Sequence, residues 1–113
     1  WDGGTVTMMG SFIQTAADTS ALNADVSMAC RATAGTINNT WGTAIAMDIA
    51  NMTGSSAINK VTTAAITPNG TCTGGGKLLQ WRWIMDATGT TTAVATLHVV
   101  GFKLEYGSTA LSD

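Results

Sequence analysis

At 113 residues and 11.6 kDa the chain has room for one hydrophobic core and not two; its 45% apolar content excludes a disordered tail, and no apolar run nears the ~20 residues of a membrane-spanning helix. Net charge is −2 and the five basic residues, Arg31, Lys60, Lys77, Arg82 and Lys103, are scattered, which argues against nucleic acid as a partner. Charged residues make up only 11%, against the usual quarter or about 25%, while Thr occurs twenty times and Ala seventeen, so strand faces can meet another subunit without stripping water from many charges and life in an assembly is expected.

Period-two alternation dominates the chain and helical periodicity is weak, so the elements read as strands. The first covers Thr5 to Gln14, with Val6, Met8, Phe12 and Ile13; Met8-Met9-Gly10 interrupts strict alternation and suggests a bulge there. Residues 15 to 24 have turn and cap chemistry. Asp25 to Thr33 sets Val26, Met28, Cys30 and Ala32 on one face and Asp25, Ser27, Ala29, Arg31 and Thr33 on the other, as a half-buried strand does. Ile37 to Trp41 leads into Thr43 to Ala50, where Ile45, Met47 and Ile49 alternate with Ala44, Ala46, Asp48 and Ala50; abundant Ala leaves a short helix as the alternative, but Ile, Thr and Asp are poor helix formers and a strand is expected.

Asn51 to Ser56 is a turn and Ala57 to Thr67 a further strand, closed by Pro68-Asn69-Gly70. Gly74-Gly75-Gly76 permits a sharp reversal or a close approach to a neighbour. Lys77 to Asp86 is the clearest strand, with Leu79, Trp81, Trp83 and Met85 on a face that reads as core or interface, core being preferred, and Leu78, Gln80, Arg82, Ile84 and Asp86 on the other. After a turn through Ala87 to Thr90, Thr92 to Tyr106 places Val94, Thr96, His98, Val100, Phe102, Leu104 and Tyr106 on one side, with a bend expected at Gly101. The count is six to eight antiparallel strands, which predicts an all-β, two-sheet antiparallel sandwich spanning residues 1–113 as one domain, jelly-roll-like in topology. An immunoglobulin-like alternative has Cys30, Trp41 and Cys72 in the right order, but Gly70 stands where that fold places a tyrosine.

The residues offer little for catalysis. His98 is the one histidine and lies mid-strand, where a structural or interface role is expected, with a pH-sensitive subunit contact as the minor alternative. The seven acids form no facing pair and no calcium loop. Gly74 to Lys77 lacks the spacing of a phosphate loop, and Leu78 occupies the place of its hydroxyl. Cys30 and Cys72 fit no zinc pattern; they are either small buried hydrophobes or one disulfide. Three N-x-[ST] sequons, at Asn38, Asn51 and Asn69, are expected by chance in so Thr-rich a chain. Because the sequence opens on Trp1, a mature or trimmed product is expected. No enzyme activity, cofactor or metal is expected.

In the C-terminal third, Leu78-Leu79-Gln80-Trp81-Arg82, then Asp86-Ala87-Thr88-Gly89-Thr90, then Leu97 to Tyr106 and the polar tail Thr109-Ala110-Leu111-Ser112-Asp113 resemble the closing hairpin of small jelly-roll-like structural proteins of tailed-phage virions, notably marine ones. The resemblance covers about 35 residues and carries no catalytic residue. It implies a virion location, either as a capsid decoration or cement subunit or as part of a tail or fibre assembly, with the decoration subunit preferred, and a homo-oligomer, a trimer favoured, partnered by the major capsid or another virion protein. Trp41, His98 and Gly74, Gly75 and Gly76 are the expected exposed contact elements. Two other readings stay open: a glycan-binding module of a tail fibre or secreted protein, using exposed aromatics, and a self-assembling extracellular filament subunit.

Overall fold

Alternation is the organising signal of the fold. In the computed structural model, which describes residues 5–15, 21–32, 40–54, 56–70, 77–85 and 96–107, the strands are β1 (Val6–Gln14), β2 (Ala24–Ala32), β3 (Ile45–Ala46), β4 (Asn59–Thr62), β5 (Lys77–Met85) and β6 (Leu97–Tyr106). They form two three-stranded antiparallel sheets, ordered β4-β1-β6 and β3-β2-β5, with no helix among the described residues. The described residues form an all-β, two-sheet sandwich of six strands. Among these strands first pairs with last and second with fifth, while β3 joins β2 and β4 joins β1, so the pairings of β1 and β2 nest one inside the other.

The core lies between the central strands. Val6, Met8 and Phe12 of β1 and Val26 and Met28 of β2 are fully enclosed, with Leu22, Met47, Met52 and Ile66 closing the ends. Four methionines in so small a core are adaptable fillers around the one large rigid ring, Phe12. That ring stacks on Trp83, 5.6 Å between centroids, and meets Phe102 edge-on at 5.8 Å.

β1 alternates buried and half-buried positions without a break, so the bulge expected at Met8-Met9-Gly10 is not there. It sits on the partner strand: Ser11 pairs with Gly101 and Phe12 with Val99, leaving Val100 as the extra residue of β6. One surplus residue inverts the alternation, so Phe102 and Leu104 share the inner face with Leu97 and Val99, not with His98 and Val100 as period-two counting implies. Gly10 keeps its place in the alternation and makes room for the Phe12 ring. A Cβ at Gly10 would stand 2.6 Å from two ring carbons of Phe12 and 2.8 Å from Met47 Sδ. Gly10→Val is therefore expected to lower stability by about 1–3 kcal/mol through overpacking. The check is a reduced denaturant midpoint at constant m-value; an unchanged midpoint would show that the ring can retreat.

β2 is not half-buried but covered on both faces from Val26 to Cys30, with Ser27 and Ala29 enclosed as well as the core-facing side chains. Part of the outer cover is Arg82, paired opposite Ser27, and Trp41, whose ring centroid lies 5.0 Å from the Arg82 guanidinium carbon. The edge of β2 away from β5 is also used. Met28 O accepts the N–H groups of Gly42 and Asn69, and Cys30 N–H donates to Asn69 O. The Pro68-Asn69-Gly70 turn thus docks on β2, and Gly70, at φ +88°, adopts the left-handed conformation it alone takes without strain.

Two expected strands shrink for one reason. Thr43 to Ala50 keeps its predicted alternation, with Met47 buried and Asp48 exposed, but is regular only at Ile45–Ala46. Met47 N–H donates to Ala24 O, while the return bond from Ala24 N–H goes to Asp48 Oδ1 at 3.0 Å instead of to a backbone carbonyl. Likewise Thr63 N–H donates to Met8 O, but Met8 N–H is accepted by Thr63 Oγ1 at 3.0 Å, just beyond the end of β4. A side-chain oxygen replaces the carbonyl in each ladder and ends the regular pairing. Cys30 is disulfide-bonded, which decides between the two readings of the cysteines. Cys72 and Gly74 to Gly76 lie outside the described residues, as do the turn at Ala87 to Thr90 and Val94.

Candidate functional site

β5 and β6 do not form a hairpin. They belong to different sheets, each as an edge strand, and their inner faces meet across the sandwich through Trp81 and Phe102, 4.8 Å between ring centroids, and Trp83 and Phe102, at 6.1 Å. This is one side of the sandwich, and the expected core face of β5 is only half enclosed there. Leu79 and Trp83 are half-buried and pack on the core, whereas Trp81 is 40% exposed and Met85 41%. Leu78 and Ile84 on the outer face of β5, and Val99, Val100 and Tyr106 of β6, are exposed too. Large apolar side chains thus concentrate on the two C-terminal strands.

The sequence-predicted contact residues are not brought together. Trp41 is half-buried on the outer face of the β3-β2-β5 sheet, with one ring face occupied by Arg82 and its carbonyl accepting from Asn69 Nδ2 at 3.3 Å. Nearby, Arg31 donates to Cys30 O at 3.3 Å and to Thr40 O, holding the segment that leads to Trp41 against β2. His98 is exposed on β6 opposite Ile13, between the inward-facing Leu97 and Val99, and so on the outer face of the other sheet. The two residues therefore cannot share one flat contact surface. The placement of Gly74 to Gly76 lies outside the described residues.

The electrostatics are sparse. Lys103 Nζ and Glu105 Oε1 pair at 2.6 Å on β6, both well exposed, so the pair contributes little to stability. Among the described residues no three His, Cys, Asp or Glu side chains converge as a metal site, and no helix is long and apolar enough to cross a membrane. Two buried polar side-chain atoms of β5, Gln80 Oε1 and Trp83 Nε1, have no hydrogen-bond partner among the described residues.

Sequence reasoning placed Leu78 and Ile84 on the face of β5 opposite Trp81 and Met85, as found, but singled out none of these residues, nor Val99, as a contact element, although a signal was present. Lys77 to Met85 carries Leu78 and Ile84 on the face opposite Leu79, Trp81, Trp83 and Met85, more apolar surface than one buried face needs, and among the described residues it stands at a sheet edge. Together these features define a small disulfide-bonded β-sandwich with apolar edge strands. No protein-family model matches the chain, and neither a curated protein nor a solved structure does.

Proposed function

We propose that the chain is a virion structural protein, a capsid decoration subunit that acts by binding and presents a sheet edge and apolar surface to its neighbours. The observation that carries binding is the pair of edge strands exposing Leu78, Trp81, Ile84, Met85, Val99 and Val100. Several large apolar side chains exposed on two strands that meet across one side of a folded domain are a feature of surfaces that contact another macromolecule. The virion setting is supported by the C-terminal resemblance and by the low charge, which keeps desolvation cheap when many copies pack on a lattice. Repetition on a particle turns weak single contacts into firm attachment. A disulfide at Cys30 fits a protein that works outside a reducing cytosol.

The test is imaging and co-sedimentation of the full chain with tailed-phage capsids that lack decoration protein. Bound density at regular lattice positions is the expected result, weakened by Ile84→Asp, which places a charge on the exposed apolar strand. Capsids that stay bare at high protein concentration, combined with saturable sugar binding on a glycan array, would replace this reading with the glycan-binding one. Filaments of the pure protein would replace it with the third.

A further inference from the structure

We infer that β5 is the pairing edge for a second copy of this chain, joined antiparallel about a two-fold axis at Trp81, so that two three-stranded sheets become one six-stranded sheet. The direction of the backbone groups comes first. Ala24, Met28 and Cys30 of β2 bond toward Met47, Gly42 and Asn69, so the even-numbered residues of β2 face that side and the odd ones face β5. Asp25, Ser27, Ala29 and Arg31 pair with Ile84, Arg82, Gln80 and Leu78. The even residues of β5 are thereby committed to β2. The N–H and C=O groups of Lys77, Leu79, Trp81, Trp83 and Met85 point to the free edge, and the one strand partner of β5 among the described residues is β2.

The two edge strands differ in protection. β6 carries the bulge at Val100 and the exposed charges of Lys103 and Glu105, devices that discourage strand addition. β5 has neither: its nine-residue register with β2 runs without a shift, it has no proline, and its one charge inside the ends is Arg82. Leu78 and Ile84 on one face and Leu79, Trp81, Trp83 and Met85 on the other suit a strand in the middle of a sheet, the position it takes in the pair.

Register then follows from overlap and charge. Odd residues must pair with odd, because these carry the free N–H groups. Centring on Trp81 uses the whole strand: Leu79 meets Trp83 of the second copy, Leu78 meets Ile84, Lys77 meets Met85, and Trp81 meets its own equivalent. Gln80 falls opposite Arg82 of the second copy, which brings guanidinium donors beside the side chain whose buried Oε1 has no partner among the described residues. Centring on Arg82 instead opposes two like charges and shortens the overlap. A contact in which each patch meets its own copy closes on itself, giving a dimer and not a trimer or filament.

This inference does not rest on the virion reading, and a dimer that ignores capsids would leave it standing. Sedimentation velocity of the full chain over a concentration series should show a species of twice 11.6 kDa. Gln80→Lys, which sets a cation opposite Arg82, should weaken the dimer at least tenfold, and adding Arg82→Glu should restore it. A measurement on the unaltered protein guards against variants that fail to fold. Amide exchange at Leu79, Trp81 and Trp83 should slow as concentration rises, while Leu78, Gln80, Arg82 and Ile84 are protected throughout. A wild-type chain that stays monomeric at millimolar concentration, a trimer, or an oligomer whose odd-residue amides in β5 still exchange freely overturns the inference.

Discussion

Phe12→Ala should lower the unfolding free energy by about 3–5 kcal/mol, the largest loss expected from one side chain here. Phe12 is fully enclosed, is the largest buried residue, and stacks on Trp83 of the opposite sheet while touching Phe102 on the neighbouring strand. Truncation therefore removes contacts in both layers. The site cannot collapse easily, because Trp83 and Phe102 are held by strand pairing to β2 and β1. In a domain this size the loss corresponds to a melting temperature lower by roughly 12–20 °C. Calorimetry or a denaturant titration reads it directly. A fall below about 1.5 kcal/mol would mean that Met8 and Met47 refill the space, as flexible methionines can.

Reduction of the disulfide at Cys30 should have an effect of similar size. The other cysteine of the chain is Cys72, so the closed loop is about forty residues, for which the chain-entropy model gives about 4 kcal/mol. Cys30 is 5% exposed at the inner face of β2, so reductant should act slowly on the folded protein and quickly once it is partly unfolded. Thermal melts of the oxidised protein, of protein reduced in denaturant and refolded, and of a Cys30→Ala variant under oxidising conditions separate the two contributions. Equal melting of oxidised and fully reduced chains, with thiols counted by titration, would sink the prediction.

Much of the fold was legible because its strands alternate. Val26, Met28 and Cys30 share an inner face as the period requires, and Met47 and Asp48 fall on opposite sides as expected. What was hidden depends on partners distant in sequence. The inversion at Val100 is a two-against-one count with Ser11 and Phe12, which no inspection of β6 alone reveals. The shortening of two strands depends on Thr63 reaching Met8 and Asp48 reaching Ala24. The adjacency of β5 and β6 in sequence suggested a hairpin, whereas each pairs with an earlier strand. The contact surface was misplaced for the same reason. Trp81 and Met85 have core composition, and their exposure follows from β5 lying at an edge, a property of the sheet and not of the strand.

The nested pairing also governs how the chain reaches this state. Met8 lies opposite Leu104, so the β4-β1-β6 sheet cannot be completed until nearly all of the described chain has been synthesised. Meanwhile β1 can hold its contacts with β4, whose regular portion is four residues long, and its bonds to Thr63 and Ile66 just beyond it, but not its longer pairing with β6. Folding dominated by such remote pairings is slow, in the range of milliseconds to seconds for domains of this kind. The apolar β5 emerges before β6 and must find β2 in that interval. Assembly of neighbouring chains and completion of a single chain therefore compete for the same strand, and the outcome depends on how crowded the newly made molecules are.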